Sequence, residues 1–265
     1  MKVGLTLPSF VDEPETLLDV ARAADRAGVE GVFAYDHLFR IASNGAVRPA
    51  LECTVVLGAV AAETERVAIG TLVARATLRP PATLAAALDT VHRIAGDRLL
   101  VTIGSGDSES RTEMETFGFT FGTIEERVAA LEACIAVVRN RGYPVWAGGS
   151  ARFLSRACVL ADGWNRWAAP PQVFARELAE LRPPPGFTAS WGGLVVLGED
   201  ERAASEKAER LGPPPGVLIG GPERIAEALR AYEDAGASWV MLGPIDSSDP
   251  DNAAIVGERL RPLLR

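Results

Sequence analysis

Two short stretches of the chain carry groups able to do chemistry. Asp36-His37 sets a carboxylate beside an imidazole, and His92 is the only other histidine in the sequence. An imidazole titrates near neutral pH and can give or take a proton. The adjacent Asp36 charge would favour the imidazolium. The plainer reading is that His37 packs against or caps the next helix. Gly148-Gly149-Ser150 follows the apolar run Val145 to Ala147 and opens a helical segment. Free backbone N–H groups at such a junction, together with the positive end of a helix dipole, make a phosphate cradle. A tight turn would use the same glycines. Gly104-Ser105-Gly106 lacks the third glycine of a dinucleotide fingerprint. His92 falls in a helix stripe with Val91 and Ile94 and reads as structural. No Ser-His-Asp order, P-loop or zinc spacing is present, and no metal site is expected.

These groups need elements to hold them. Short apolar runs alternate with amphipathic stretches throughout, as in chains of βα units around a parallel sheet. Eight runs read as strands, near 2–7, 31–35, 67–73, 98–103, 145–147, 163–167, 188–197 and 238–242. Eight βα units in 265 residues fit an α/β fold of one domain spanning 1–265, a (β/α)8 TIM barrel. An open doubly wound sheet is the competing architecture. The first helix should bury Leu17, Val20, Ala21 and Ala24 and end at Gly28. A second helix is expected from Pro49 to about Glu63. Thr123 and Glu126 form a capping-box pattern ahead of Ile124, Val128, Leu131, Ile135 and Val138. In such a barrel the chemistry sits at the C-terminal strand ends. Those ends carry Asp36-His37, Val73 to Arg75, Gly104 to Asp107, Gly148 to Arg152 and Trp164 to Trp167.

The composition narrows the partners. Hydrophobic residues make up 48% and charged residues 23%, enough apolar surface to offset the entropy of ordering. A net charge of −8 with no run of Lys or Arg argues against nucleic acid. No apolar run is long enough for a membrane span. Cys53, Cys134 and Cys158 are scattered and odd in number, which suits a reducing, cytoplasmic compartment. Lys2 to Leu7 reads directly as a strand, leaving no room for a signal peptide.

Several segments, in order along nearly the whole chain, resemble the luciferase-like monooxygenase family. They are Ala27 to Leu38, Arg66 to Val73 with Thr77 to Pro81, Ile103 to Gly106 with Phe117-Gly118, Val145 to Ser150 with Ala161 to Asn165, and Ile219 to Glu223. The variety is similar to the branch that uses the deazaflavin coenzyme F420 rather than FMN. The resemblance implies a TIM barrel with the coenzyme ring across the strand ends. Asp36 would contact the ring system, and His37 would sit beside the reacting carbon as the acid or base. Asp107 is the second catalytic candidate, with Glu109 or solvent as alternatives. Leu72-Val73 would be a cis peptide forming a bulge under the ring. Arg75, Ser105, Gly106 and Ser110 would line the coenzyme, and Gly148, Gly149, Ala151 and Arg152 would hold its phosphate.

The implied activity is hydride transfer between F420 and a small organic substrate. An FMN-dependent monooxygenase and a coenzyme-binding barrel without turnover are the alternatives. Three departures from the family pattern matter. Only Asn140 to Pro144 separates the helix after the fourth strand from the next strand, where relatives carry a longer segment over the mouth. This implies an open site, a different substrate, or a lid from another subunit. Leu38-Phe39-Arg40-Ile41 lacks the tryptophan that follows the Asp-His pair in the sugar-phosphate dehydrogenases, and Asp107 replaces their glutamate. Both point away from a sugar phosphate. A homodimer is expected.

Overall fold

The computed structural model describes residues 1–41, 45–108 and 110–264; Glu109 lies outside this range. Eight parallel strands close on themselves. They are β1 (Lys2–Thr6), β2 (Gly31–Ala34), β5 (Ala68–Arg75), β6 (Leu99–Gly104), β7 (Val145–Gly148), β8 (Gly163–Trp167), β9 (Thr188–Leu197) and β11 (Trp239–Pro244). The order around the barrel is β9-β11-β1-β2-β5-β6-β7-β8, and β8 pairs with β9 to close it. All eight match expected strands, and the open sheet is ruled out.

Three short strands were not anticipated. β3 (Phe39–Ile41) and β4 (Val47–Pro49) form an antiparallel hairpin after β2, and β10 (Leu218–Gly220) adds to the upper part of β9. The hairpin corrects the expected start of the second helix. Pro49 ends β4 opposite Phe39, and α2 (Cys53–Glu63) begins four residues later. Glu52 caps that helix by accepting the Val55 N–H at 2.8 Å.

The outer layer contains α1 (Pro14–Ala27), α3 (Pro81–Ala95), α4 (Ser110–Thr116), α5 (Ile124–Val138), α6 (Ala151–Leu160), α7 (Pro171–Leu181), α8 (Glu201–Leu211), α9 (Pro222–Asp234) and α10 (Asp251–Ala254). α1 buries Leu17, Val20, Ala21 and Ala24, and Gly28 stops it in the left-handed region at φ 76°. The Thr123–Glu126 capping box on α5 is formed in both directions. His92 is structural as expected, with Nδ1 2.9 Å from the Gly96 carbonyl at the end of α3.

The barrel interior is filled by Phe33, Leu72, Leu100, Trp146, Trp239 and Met241. Glycines make room for the rings. A Cβ on Gly4 would stand 2.5 Å from Phe33, and one on Gly163 would stand 2.5 Å from Trp146. This packed floor leaves the C-terminal ends of the strands as the place for a cleft. Leu72-Val73 is cis, as the family resemblance implied, and the β5–β6 register shifts between Thr71 and Ala74.

Candidate active site

A cleft of about 510 Å³ opens over the ends of β2, β5, β6, β7 and β8. That volume lies within the usual range for small-molecule sites. The Leu72-Val73 bulge lies along it, and Val73 packs between two glycines. A Cβ on Gly104 would stand 2.5 Å from a Val73 methyl, and one on Gly148 would stand 2.4 Å from the other. Asp36, His37, Leu72, Val73, Arg75, Ser105, Gly106, Asp107, Ser110, Gly148 and Gly149 all line the cleft.

Two candidates do not line it. The Ala151 N–H is already given to Glu177 of α7 at 2.8 Å, and the exposed Arg152 faces a neighbouring groove beside Phe153. Glu177 is buried, accepts from the Ser150 hydroxyl, and pairs with Arg166 Nε at 3.1 Å. A carboxylate is stable at a helix N-terminus for the reason a phosphate is. The expected cradle is therefore partly filled from within. Gly148 and Gly149 remain at its open edge.

Asp36 and His37 follow the end of β2, and their side chains take different partners. Asp36 is buried, and its two oxygens take Arg79 at 2.7 and 2.9 Å and the Arg75 N–H at 2.8 Å. This corrects the expectation that the Asp36 charge acts on His37. The carboxylate that reaches the imidazole is Glu113 of α4, whose Oε2 is 3.0 Å from His37 Nδ1. The same oxygen takes Arg75 Nη2 at 3.0 Å, and Oε1 accepts the Leu38 N–H. Burial alone would raise the Glu113 carboxyl. The His37 hydrogen bond, the Leu38 N–H and the charges of His37 and Arg75 outweigh it and hold the group below its ordinary value. Asp107 caps α4, with Oδ1 3.1 Å from the Ser110 N–H and 3.0 Å from its hydroxyl.

The site also contains Phe10, Tyr35 and Arg127, which sequence reasoning missed, and Trp167, which it placed at a strand end. Phe10, Tyr35 and Trp167 form an aromatic wall beside His37, with Phe10–His37 centroids 5.4 Å apart and Tyr35–Trp167 centroids 6.2 Å apart. Burial pushes the Tyr35 phenol up to about 12, against a Thr6 hydrogen bond and the charge of Arg40, so it stays neutral. Arg127, on the first turn of α5, lines the opposite end and stacks on Phe121 at 4.1 Å. Its buried Nε has no partner among the described residues, nor has Arg75 Nη1. Phe39 of β3 stacks on Phe117, the residue after α4, with centroids 6.1 Å apart.

A closed parallel barrel with one cleft over its strand ends and an imidazole on the wall defines a (β/α)8 protein with an enzyme-like site. Residues 1–212 match the model of the luciferase-like monooxygenase family, and the chain belongs to that family. It is similar to the F420-dependent glucose-6-phosphate dehydrogenase of Beutenbergia cavernae, with 35% identity over 149 residues. That match covers 56% of this chain and 42% of the relative, so the chain spans less than half of that protein's length. Among solved structures, an F420-dependent secondary alcohol dehydrogenase with an F420–acetone adduct superposes with a TM-score of 0.82 at 15% identity, covering 100% and 99% of the two chains. The coenzyme F420-dependent tetrahydromethanopterin reductase of Methanopyrus kandleri superposes at 0.78 with 16% identity, covering 100% and 99%. At those identities the likeness establishes the fold.

Proposed function

We propose that the protein is an oxidoreductase that transfers a hydride between coenzyme F420 and a small organic substrate. The carrying observation is that His37 lines the cleft that contains the Leu72-Val73 bulge, with Nδ1 engaged by Glu113. F420, when bound, supplies the carbon that accepts or donates the hydride. Its fit is supported by the glycine-lined floor at Gly104, Gly106 and Gly148, and by the unpartnered buried Nε of Arg127, a donor suited to a phosphate. Leu72, Val73, Ser105 and Gly106 bound the space for the ring, and Ser110 and Gly149 extend it. His37 moves the proton that must accompany the hydride. Asp107 holds the start of α4 and stands at the cleft edge as the second acid–base group. Asp36 acts at one remove, fixing the Arg75 amide at the end of β5.

The aromatic wall supports a neutral, partly apolar alcohol or carbonyl as substrate. No lysine lines the cleft among the described residues, and Arg75 and Arg166 are paired with buried carboxylates. A sugar phosphate would need a second free cation. The same reading takes the chain as a homodimer in the cytoplasm. Apolar side chains exposed on helices, Val55 and Val159 among them, and three buried free cysteines support it. A monomeric mass by light scattering would overturn the dimer.

Separate titrations with F420 and with FMN, followed by absorbance, test the coenzyme. F420 saturation at micromolar concentration, and its reduction by a secondary alcohol, are expected. Binding of FMN with no affinity for F420 would replace this reading with the oxygen-dependent one. Tight F420 binding with no turnover on any alcohol or carbonyl would favour the non-catalytic barrel.

A further inference from the structure

We infer that Glu113 is a positioning residue that fixes the His37 imidazole as its Nδ1–H tautomer, so that Nε2 is the atom that exchanges a proton with substrate. The inference rests on the hydride-transfer reading above and deepens it.

Three side chains meet at one oxygen. Glu113 Oε2 is 3.0 Å from His37 Nδ1 and 3.0 Å from Arg75 Nη2, and Nη2 is itself 3.0 Å from Nδ1. A carboxylate only accepts and a guanidinium only donates. If Nδ1 lacked a proton, its lone pair would face a carboxylate lone pair at hydrogen-bond distance in a buried setting. With the proton on Nδ1, Oε2 accepts from both neighbours, and Nδ1 and Nη2 each have an acceptor. The Arg75–His37 approach is then the geometric result of two donors sharing one acceptor.

The carboxylate cannot easily turn away. Its other oxygen accepts the Leu38 N–H, and the Glu113 and Arg75 side chains are only 5% and 4% exposed. The groups facing His37 come from every side. They are Glu113 from α4, Arg75 from β5, the Phe10 and Tyr35 rings, and Arg40, which stacks on Phe10. Asp36 is turned to Arg79. Glu113 is thus the one carboxylate in contact with the ring among the described residues.

The proton step balances as follows. In the oxidising direction the substrate O–H bond breaks and a bond to hydrogen forms at Nε2. F420, if bound, would take up the electron pair of the substrate C–H bond as hydride, leaving a carbonyl. The imidazolium that forms is stabilised by Glu113 across the ring, as an orienting carboxylate does in other acid–base sites. Arg75 draws on the same oxygen and limits that pull, so the ring can release its proton again.

Two histidines in the whole chain make the test direct. Nitrogen-15 NMR of imidazole-labelled protein, without coenzyme, reads the tautomer of His37, with His92 as an internal reference. The expected wild-type signal at high pH is Nδ1–H. In Glu113→Gln the preference for Nδ1–H should fall. In the coenzyme-loaded enzyme the same variant should lower kcat about 10- to 100-fold, in the range of a misplaced acid–base group. KM and coenzyme affinity should change little, and Glu113→Asp should recover part of the rate. If the single variant does not fold, Arg75→Met/Glu113→Leu removes both buried charges together and is read in the same way. An Nε2–H signal in the wild type, or an unchanged tautomer in the variants, overturns the inference. Because the NMR needs no coenzyme, the role of Glu113 and the choice of F420 can fail separately.

Discussion

Gly148→Ala should loosen the coenzyme's floor without touching any titrating group. The new Cβ would stand 2.4 Å from Val73 Cγ1, 3.2 Å from Thr102 Cγ2 and 3.5 Å from Val73 Cβ. Ordinary carbon contacts lie at about 3.5–4.0 Å, so Val73 must retreat by about 1 Å. Val73 also lies against Gly104 and cannot retreat freely. A Cβ on Gly104 would be 2.5 Å from Val73 Cγ2. Overpacking of this size costs about 1–3 kcal/mol. Urea unfolding should register that loss, and a fluorescence titration should show coenzyme affinity falling by about tenfold or more. The clash involves a named atom, so it has a named remedy. Val73→Ala removes both methyls and leaves Cβ, which sits 3.5 Å from the new methyl. Val73→Ala/Gly148→Ala should therefore recover stability relative to Gly148→Ala, with a coupling of about 1 kcal/mol in the double-mutant cycle. Wild-type stability and affinity in Gly148→Ala, or a double variant no better than the sum of its parts, would refute the packing account.

His37→Ala should lower kcat by about 10²–10⁴ with coenzyme affinity little changed, and stopped-flow coenzyme reduction against equilibrium titration separates the two. Gly149→Asp should abolish coenzyme binding, since φ is +137° and a Cβ would lie 2.7 Å from Leu154, with a carboxylate added at the cradle's edge. Arg127→Met should weaken a phosphate-bearing deazaflavin about tenfold or more while leaving the phosphate-free chromophore unaffected; equal losses for both would show that Arg127 only packs on Phe121. Arg79→Met strips the bidentate partner from the buried Asp36 and should cost about 3 kcal/mol in urea unfolding, with much of it regained in Asp36→Asn/Arg79→Met. Glu113 has a lowered folded pKa, so its stabilisation is present above the unfolded carboxyl value and is lost as pH falls through the folded one. Glu113→Gln should flatten that acid limb in thermal unfolding.

The barrel was legible because its signal is local. Most of the eight strands are apolar runs whose burial on both faces needs no knowledge of their partners, β8 with Asn165 and Arg166 being the exception. The β3–β4 hairpin was not legible, because Phe39–Ile41 and Val47–Pro49 are partly or fully exposed and Pro49 mimics a helix start. Asp36 and His37 were found as types, but their adjacency misled. The two side chains take separate partners, and the group that meets His37 lies 76 residues on. One signal could have found Glu113. In a parallel barrel every loop after a strand opens onto the same face, so an acidic residue in the loop after β6 belongs on the list of partners for an imidazole after β2.

The α6 N-terminus teaches the same lesson from the opposite direction. Gly148-Gly149-Ser150 announced a place for an anion, and an anion is there, but it is the chain's own Glu177. The local sequence sets the field and the free N–H groups, whereas tertiary packing decides which negative charge answers them. Arg166 then neutralises Glu177 and ties α7 to the end of β8. With that helix end partly satisfied, the buried arginine donors that line the cleft without an acceptor among the described residues are Arg75 Nη1 and Arg127 Nε, and Arg75 is already paired with Glu113. On our reading the cation left for an outside phosphate is Arg127, 21 residues before the first of the glycines that suggested a phosphate. Locating an anion site in such a barrel therefore means following the buried donors that the chain itself leaves unanswered.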